Sequence, residues 1–336
     1  MPEAPSVRDR LLGLIVSLLV IAGLRWSYPV SMPLAGAIFI VAVIWPVKQW
    51  LDRVLPAALS YLLAGMLLLL VLLGFFGAVY FSASQVVQSF VDRQEEFRSL
   101  YDTFLASLRR HGLPTPLEQD GFARLVGLAQ AALSRLYTVL GYLGFIAILV
   151  LLGLPEVPAF RRKLHHGVSD SDRQDVLDTA ERIASVFRSY LGVTVLVSLF
   201  TGLASMAWAL AIGLDLAVTW GLLNFLLNFV PVFGNIIGII LPTLYALIQF
   251  QDWTMLLVTF LGYTVLQVAV SNFVYPWMQG ERLSLSPAAI VVALAFWSWV
   301  WGIAGALLAV PLTAAVAIVC GRFSSTEWIA RMLSKG

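Results

Sequence analysis

The 336-residue chain is short of nearly everything an enzyme site is built from. Its one cysteine, Cys320, excludes an internal disulfide and a CxxC metal site, and reads as a small apolar side chain in a helix. All three histidines lie in polar segments, and the adjacent His165 and His166 would point about 100° apart on a helix, which is wrong for chelating one metal. No G-x-x-x-x-G-K-[ST] occurs, and no glycine precedes a lysine, so there is no P-loop. H-E-x-x-H, G-x-S-x-G and paired intramembrane aspartates are also missing. These absences argue against an enzyme and against a resident metal or cofactor. Charged residues make up only 12% of the chain and the net charge is +2, too little for a nucleic-acid partner.

Apolar residues are what the chain has, at 60% of the total against roughly 45–50% in soluble domains. A water-soluble fold cannot hide that much apolar surface, so the solvent for much of it is a lipid bilayer. A crossing of about 30 Å takes about 20 helical residues. Pro56–Phe81, Tyr190–Ile212 and Trp253–Tyr275 satisfy this simply, and Thr138–Leu154 is at the short limit. Leu11–Leu24 resembles a signal peptide but lacks a cleavage site, so it reads as a retained helix. It pairs with Pro33–Val47 as a hairpin of short helices, with Arg25, Pro29 and Pro33 in the turn. Ala217–Phe250 and Ala288–Cys320 are too long for one crossing and carry internal breakers, so each reads as two helical pieces returning to the side they left, whether or not they cross fully.

Basic residues set the sidedness. Arg8, Arg10, Lys48, Arg53, the Arg161-Arg162-Lys163 run, Arg322, Arg331 and Lys335 all fall in the cytoplasm in a single topology, which places both termini inside. Residues 82–137 then lie outside and read as two amphipathic helices split by Gly112-Leu113-Pro114-Thr115-Pro116. Phe90, Phe97, Tyr101, Phe104 and Leu108 recur there at helical spacing. That stripe needs a cover, which predicts a homo-oligomer. A cytoplasmic helix follows, capped either by Ser171 with Gln174 or by Ser169 with Asp172. Six basic and six acidic residues between Glu156 and Arg188 make a solvated face of it rather than an anion site.

The most informative stretch is NFVPVFGNIIG, Asn228 to Gly238, in the middle of an apolar run. Pro231 followed by Gly234 should end one half-helix near Asn228 and let another start near Asn235. The halves, Ala217–Phe229 and Asn235–Phe250, would be about 20 and 24 Å long at 1.5 Å per residue. Irregular backbone at that depth is tolerated only where protein buries it or an aqueous cavity adjoins it, and broken helices of this kind form binding sites in transporters. Asn224 and Asn228 share one face and aim at the break. The competing reading makes Gly234-x-x-x-Gly238 a close-packing face and the asparagines interhelical glue. The spans contain no Asp or Glu, the nearest being Asp215 and Asp252 at helix ends, so the carboxylate that ion coupling usually relies on is missing.

Leu227 to Pro242 resembles the IP-x-x-G-P-x-x-G-x-x-P segment of the autoinducer-2 exporter family of permeases, through Pro231, Gly234, Gly238 and Pro242, with Asn235 where many members have proline. NFVYPWMQGERLSLSPAAIVV resembles the family's N-x-x-x-P-x-x-x-G-x-x-L-x-L-x-P through Asn272, Pro276, Gly280, Leu283, Leu285 and Pro287, and GIAGALLAVPL at Gly302–Leu312 completes the pattern. The resemblance implies a bacterial inner-membrane protein that exports autoinducer-2 or exchanges sodium for protons. Members often carry an acidic residue just before the asparagine matched by Asn272. Val270 and Ser271 stand there instead, which turns the expectation from antiport toward export of a small polar solute.

The expected protein is therefore all-α and polytopic, with about eight transmembrane or hairpin segments, at least one broken helix and an extracytoplasmic helical insertion. Its parts are 1–81, an N-terminal hairpin and third membrane helix; 82–137, the insertion; 138–189, a membrane helix and cytoplasmic helix; 190–320, a C-terminal core with broken hairpins; and 321–336, a cytoplasmic tail. Asn224, Asn228, Asn235, Gln267 and Asn272 would supply hydrogen bonds to the solute, with Pro231, Gly234, Gly238 and Pro276 shaping the pathway. The alternatives are a sodium/proton antiporter and a non-transporting membrane scaffold.

Overall fold

The computed structural model describes residues 7–96, 98, 99, 110, 121–167, 169–230, 233–279, 285–323 and 325–334. These are helical almost throughout, with no strand among them beyond an isolated bridge between Leu285 and Ser334. In chain order the helices are α1 (Val7–Trp26), α2 (Tyr28–Leu51), α3 (Ala57–Asp92), α4 (Gly121–Gly167), α5 (Asp170–Ala211), α6 (Ala217–Leu227), α7 (Phe233–Phe250) and α8 (Trp253–Ala269). A π-helical segment (Val270–Val274), α9 (Tyr275–Gln279), α10 (Pro287–Cys320) and α11 (Glu327–Leu333) follow. Six stretches of these helices are long and apolar enough to cross a membrane, and α6 and α7 are shorter apolar helices. The protein is an all-α, multi-pass membrane protein.

Several boundaries differ from those expected. The first hairpin turns at Ser27, and α2 runs 24 residues with Pro33 and Pro46 inside it. Pro29 falls in the first turn, where a missing N–H costs nothing, and Pro33 removes a single hydrogen bond from a long apolar helix. Both helices that border residues 82–137 run uninterrupted through those limits. At 36 residues α3 is about 54 Å long, well beyond a crossing of about 30 Å. Of the expected amphipathic stripe, Phe90 is described and packs edge-on against Tyr245, with ring centroids 5.9 Å apart. Phe97, Tyr101, Phe104, Leu108 and the Gly112–Pro116 break lie outside the described residues. At the start of α5 the Asp172 N–H donates to Ser169 Oγ at 3.3 Å, which settles the cap on Ser169.

Both long runs fold back as expected. In α10 the backbone leaves the helical region at Trp301 (φ −126°, ψ 17°) and Gly302 (φ 63°, ψ −142°). Only glycine adopts the second conformation freely. Trp297 Nε1 donates to Thr313 Oγ1 at 3.1 Å, although residues sixteen apart lie about 24 Å apart along a straight helix. The two arms therefore run side by side. The other run breaks between α6 and α7, where Trp220 and Tyr245 pack with ring centroids 5.4 Å apart across the hairpin.

The chain divides into two compact units. One comprises Met1–Met66, Gly144–Tyr190 and Glu281–Gly336. Here Phe39 stacks against Phe187 at 4.4 Å, and Trp301 Nε1 reaches Ser31 Oγ at 3.1 Å, tying the α1–α2 turn to the break in α10. Arg25 reinforces this tie by donating to the Trp299 carbonyl and lying 4.2 Å from its ring centre. Lys48, only 5% exposed, is held by Asp52 at 2.6 Å and by the Tyr61 ring at 4.1 Å. The other unit comprises Leu67–Leu143 and Leu191–Gly280, with a core of Val86, Ala209, Leu214, Trp220 and Tyr245. It contains the α6–α7 hairpin, α8 and the π-helical segment.

Candidate functional site

Proline chemistry explains how the second unit builds its polar centre. Pro242 lies inside α7 and is fully buried. Having no N–H, it cannot donate to the carbonyl one turn back, that of Gly238. Asn224, on the opposite arm and 1% exposed, supplies the missing donor: its Nδ2 reaches Gly238 O at 3.3 Å and also Trp220 O at 3.1 Å. Its Oδ1 accepts from Gln267 Nε2 of α8 at 2.9 Å. Three helices thus meet on one buried amide. Gln267 is itself 4% exposed, and its Oε1 has no partner among the described residues.

The two glycines make this meeting possible. A Cβ on Gly238 would stand 2.3 Å from Asn224 Oδ1, and one on Gly234 would stand 1.8 Å from the Leu227 carbonyl oxygen. Both positions admit only hydrogen, so the Gly234-x-x-x-Gly238 face brings the arms into contact beside the break. Close packing and the polar centre are one construction.

The remaining asparagines diverge. Asn228 sits at the end of α6 and its Nδ2 donates to Ser198 Oγ of α5 at 3.0 Å. Asn235, in the first turn of α7, donates to Ser271 Oγ at 3.1 Å. Asn272 is exposed and bonds back to the Val268 carbonyl of its own helix at 2.9 Å, and Pro276 is exposed as well. Asn224 and Asn228 start from one face, as expected, but reach different partners. The structure therefore joins Asn224, Gly238 and Gln267, gives Asn228 and Asn235 separate serine partners, and leaves Asn272 and Pro276 apart. Pro231 lies outside the described residues.

Two features were not foreseen. Thr194, Ser198, Thr201 and Ser205 form a buried hydroxyl stripe on α5, at spacings of four, three and four that the sequence displayed openly. The second is the π turn over Val270–Val274, closed by the Tyr275 N–H on Val270 O. In a regular α-helix the Pro276 ring would press on the Asn272 carbonyl, and the wider turn relieves that clash. Asp215 and Asp252, the acidic residues that flank the hairpin in sequence, have other partners. Asp215 is exposed and paired with Arg93 at 2.8 Å, and Asp252 caps α8 by accepting from the Thr254 N–H at 2.9 Å.

A broken hairpin around a buried amide centre, in a chain of this hydropathy, agrees with what the sequence resembles. Residues 14–324 match the family described as AI-2E family transporter. The chain belongs to this family. Among AI-2E transporter relatives, a Haemophilus influenzae protein provisionally described as a transport protein is 26% identical over 98% of this chain and 97% of its own length. The AI-2 transport protein TqsA of Escherichia coli K12 is 27% identical over 96% of this chain and 94% of its own. YhhT of the same organism, provisionally described as a transport protein, is 27% identical over 93% and 90%. A role in membrane transport follows from membership of the AI-2E transporter family.

Proposed function

We propose that this transporter exports a small uncharged polar solute of the autoinducer-2 kind across the bacterial inner membrane, through the broken α6–α7 hairpin, with both termini in the cytoplasm. The observation that carries the reading is Gln267: a buried amide whose oxygen has no partner, beside a helix break and next to Asn224. Buried acceptors are rarely left without a donor, and a hydroxyl of a passing solute supplies one. Asn228 and Asn235 flank the break with amides that exchange their serine partners for solute. Gly234, Gly238 and Pro242 fix the backbone and make no solute contact. The printed name of the TqsA relative supports a solute of the autoinducer-2 class.

Sodium/proton exchange is the weaker reading, because the groups at the centre are amides and hydroxyls while Asp215 and Asp252 sit at helix ends. A scaffold role would rest on the 82–137 insertion, which also supports self-association. Purified protein in liposomes, assayed for autoinducer-2 flux with and without sodium and proton gradients, separates the three. The expected result is saturable flux without an ion gradient that drops at least tenfold in the Asn228→Leu/Asn235→Leu variant. Wild-type rates in that variant would remove the site from the hairpin. Flux only under a gradient would favour exchange, and no flux of any kind would favour the scaffold.

A further inference from the structure

A cavity of about 440 Å³ opens in the first unit, where the last turns of the α10 span meet α5 and the C-terminal helix. Its walls differ in character. One is apolar, made by Leu285, Ala314, Ala317 and Ile318. Arg182, Arg322 and Arg331 also line it, together with the carboxylate of Glu327. Arg322 is already engaged, with its guanidinium 2.7 Å from Asp175 Oδ1, and Arg331 holds Glu327 at 2.8 Å. Arg182 has no ion-pair partner among the described residues.

The cavity is held in shape from outside. The Ser286 N–H donates to Leu333 O at 2.9 Å, and Leu285 bridges to Ser334, so α11 is strapped to the start of α10. On the same segment of chain, Val316 and Val319 of α10, Phe323 just after it, and Trp328 and Met332 of α11 are exposed. An exposed tryptophan and phenylalanine directly after a membrane span mark the level of the lipid headgroups. Three arginines at that level, next to an apolar slot continuous with the span, suit a ligand that is anionic at one end and apolar at the other.

We propose that this cavity binds an anionic phospholipid, its phosphodiester against Arg182 and Arg331 and its acyl chains along the exposed face of α10. A soluble phosphate compound would use the arginines alone and leave the apolar wall without a role. The site lies wholly within the first unit and does not depend on the transport pathway proposed above.

The test is native mass spectrometry of the full-length protein in mild detergent, titrated with phosphatidylglycerol or with phosphatidylcholine. Wild type should retain one phosphatidylglycerol in clear preference to phosphatidylcholine. Basic residues near a membrane surface contribute about fivefold each, so the Arg182→Gln/Arg331→Gln variant should bind it about 25-fold more weakly. Arg182→Lys/Arg331→Lys, which keeps the charge, should recover most of that loss and guards against a folding defect. Arg161→Gln/Arg162→Gln, which removes two charges that do not line the cavity, should bind as wild type does. Equal affinity for both lipids, or an equal loss in the Arg161/Arg162 variant, would overturn the proposal. Displacement of phosphatidylglycerol by glycerol 3-phosphate would overturn it too, by making the ligand a soluble anion.

Discussion

Asn224 takes over a hydrogen bond that Pro242 cannot make, and this can be measured. Replacing Asn224 with leucine keeps the branching and the number of heavy atoms and leaves two buried groups without their partner, the Gly238 carbonyl and Gln267 Nε2. Side-chain hydrogen bonds between membrane helices average about 0.6 kcal/mol and reach about 1.7. An orphaned buried group in a tight site costs about 1–3 kcal/mol. Asn224→Leu should therefore destabilise by about 2–3 kcal/mol. Pro242→Ala restores an N–H one turn after Gly238, and its own packing loss cancels in a double-mutant cycle. In that background the Gly238 carbonyl is satisfied from its own helix, and Asn224→Leu orphans only Gln267. Its cost should fall by about 1 kcal/mol, well outside the roughly 0.3–0.5 kcal/mol within which independent sites add. The assay is reversible unfolding in mixed detergent micelles, followed by tryptophan fluorescence. Identical costs of Asn224→Leu in both backgrounds would refute the link between the proline and the asparagine.

Gly234→Ala should cost about 2–3 kcal/mol, because its Cβ meets the fixed Leu227 backbone, whereas Gly192→Ala, with nothing within 4 Å, should be neutral or stabilising in the same unfolding assay. The Lys48 ammonium hydrogen-bonds Asp52 and holds its carboxyl below the usual aspartate value. Its stabilising effect is thus complete above the unfolded-state value near 4 and is lost as pH falls through the lower folded-state value. Asp52→Asn should remove that part of the acid sensitivity, and an unchanged profile would show that the pair does not contribute. For sidedness, Asp92→Cys and Ser169→Cys in a Cys320→Ser background should react with an impermeant thiol reagent from opposite faces of intact cells, and labelling of both from one face would overturn the topology.

The sequence made much of this visible because membrane helices advertise themselves by length and apolarity. The break between α6 and α7 was readable from Pro231 and Gly234, and the fold-back of α10 from its excess length and internal breakers. Partners were harder to read. Asn224 and Asn228 look equivalent in sequence, and only the crossing of α5 and α6 sends one to Gly238 and the other to Ser198. That crossing brings the backbone so near that a Cβ on Gly202 would lie 2.8 Å from the Gly221 carbonyl. Pro33 misled because a proline near a turn usually belongs to it, yet apolar burial carried α2 past it. Pro276 gave no warning of a π turn, since a kink or a helix end would answer the same clash.

The absence of carboxylates from the described buried polar groups of the second unit bears on energetics as well as on chemistry. Every buried polar side chain described there, from Ser82 and Thr194 through Asn224 to Thr259 and Gln267, is neutral at any physiological pH. A membrane potential does work only on charge, about 2.3 kcal/mol per elementary charge for each 100 mV. On these groups it does none. A neutral solute moved past such groups, as proposed above, would dissipate its own concentration difference and nothing else, so the direction of net flow would reverse when the outside became richer than the inside. If the proposed export of a signal is right, such a route would report population density through its own back-pressure.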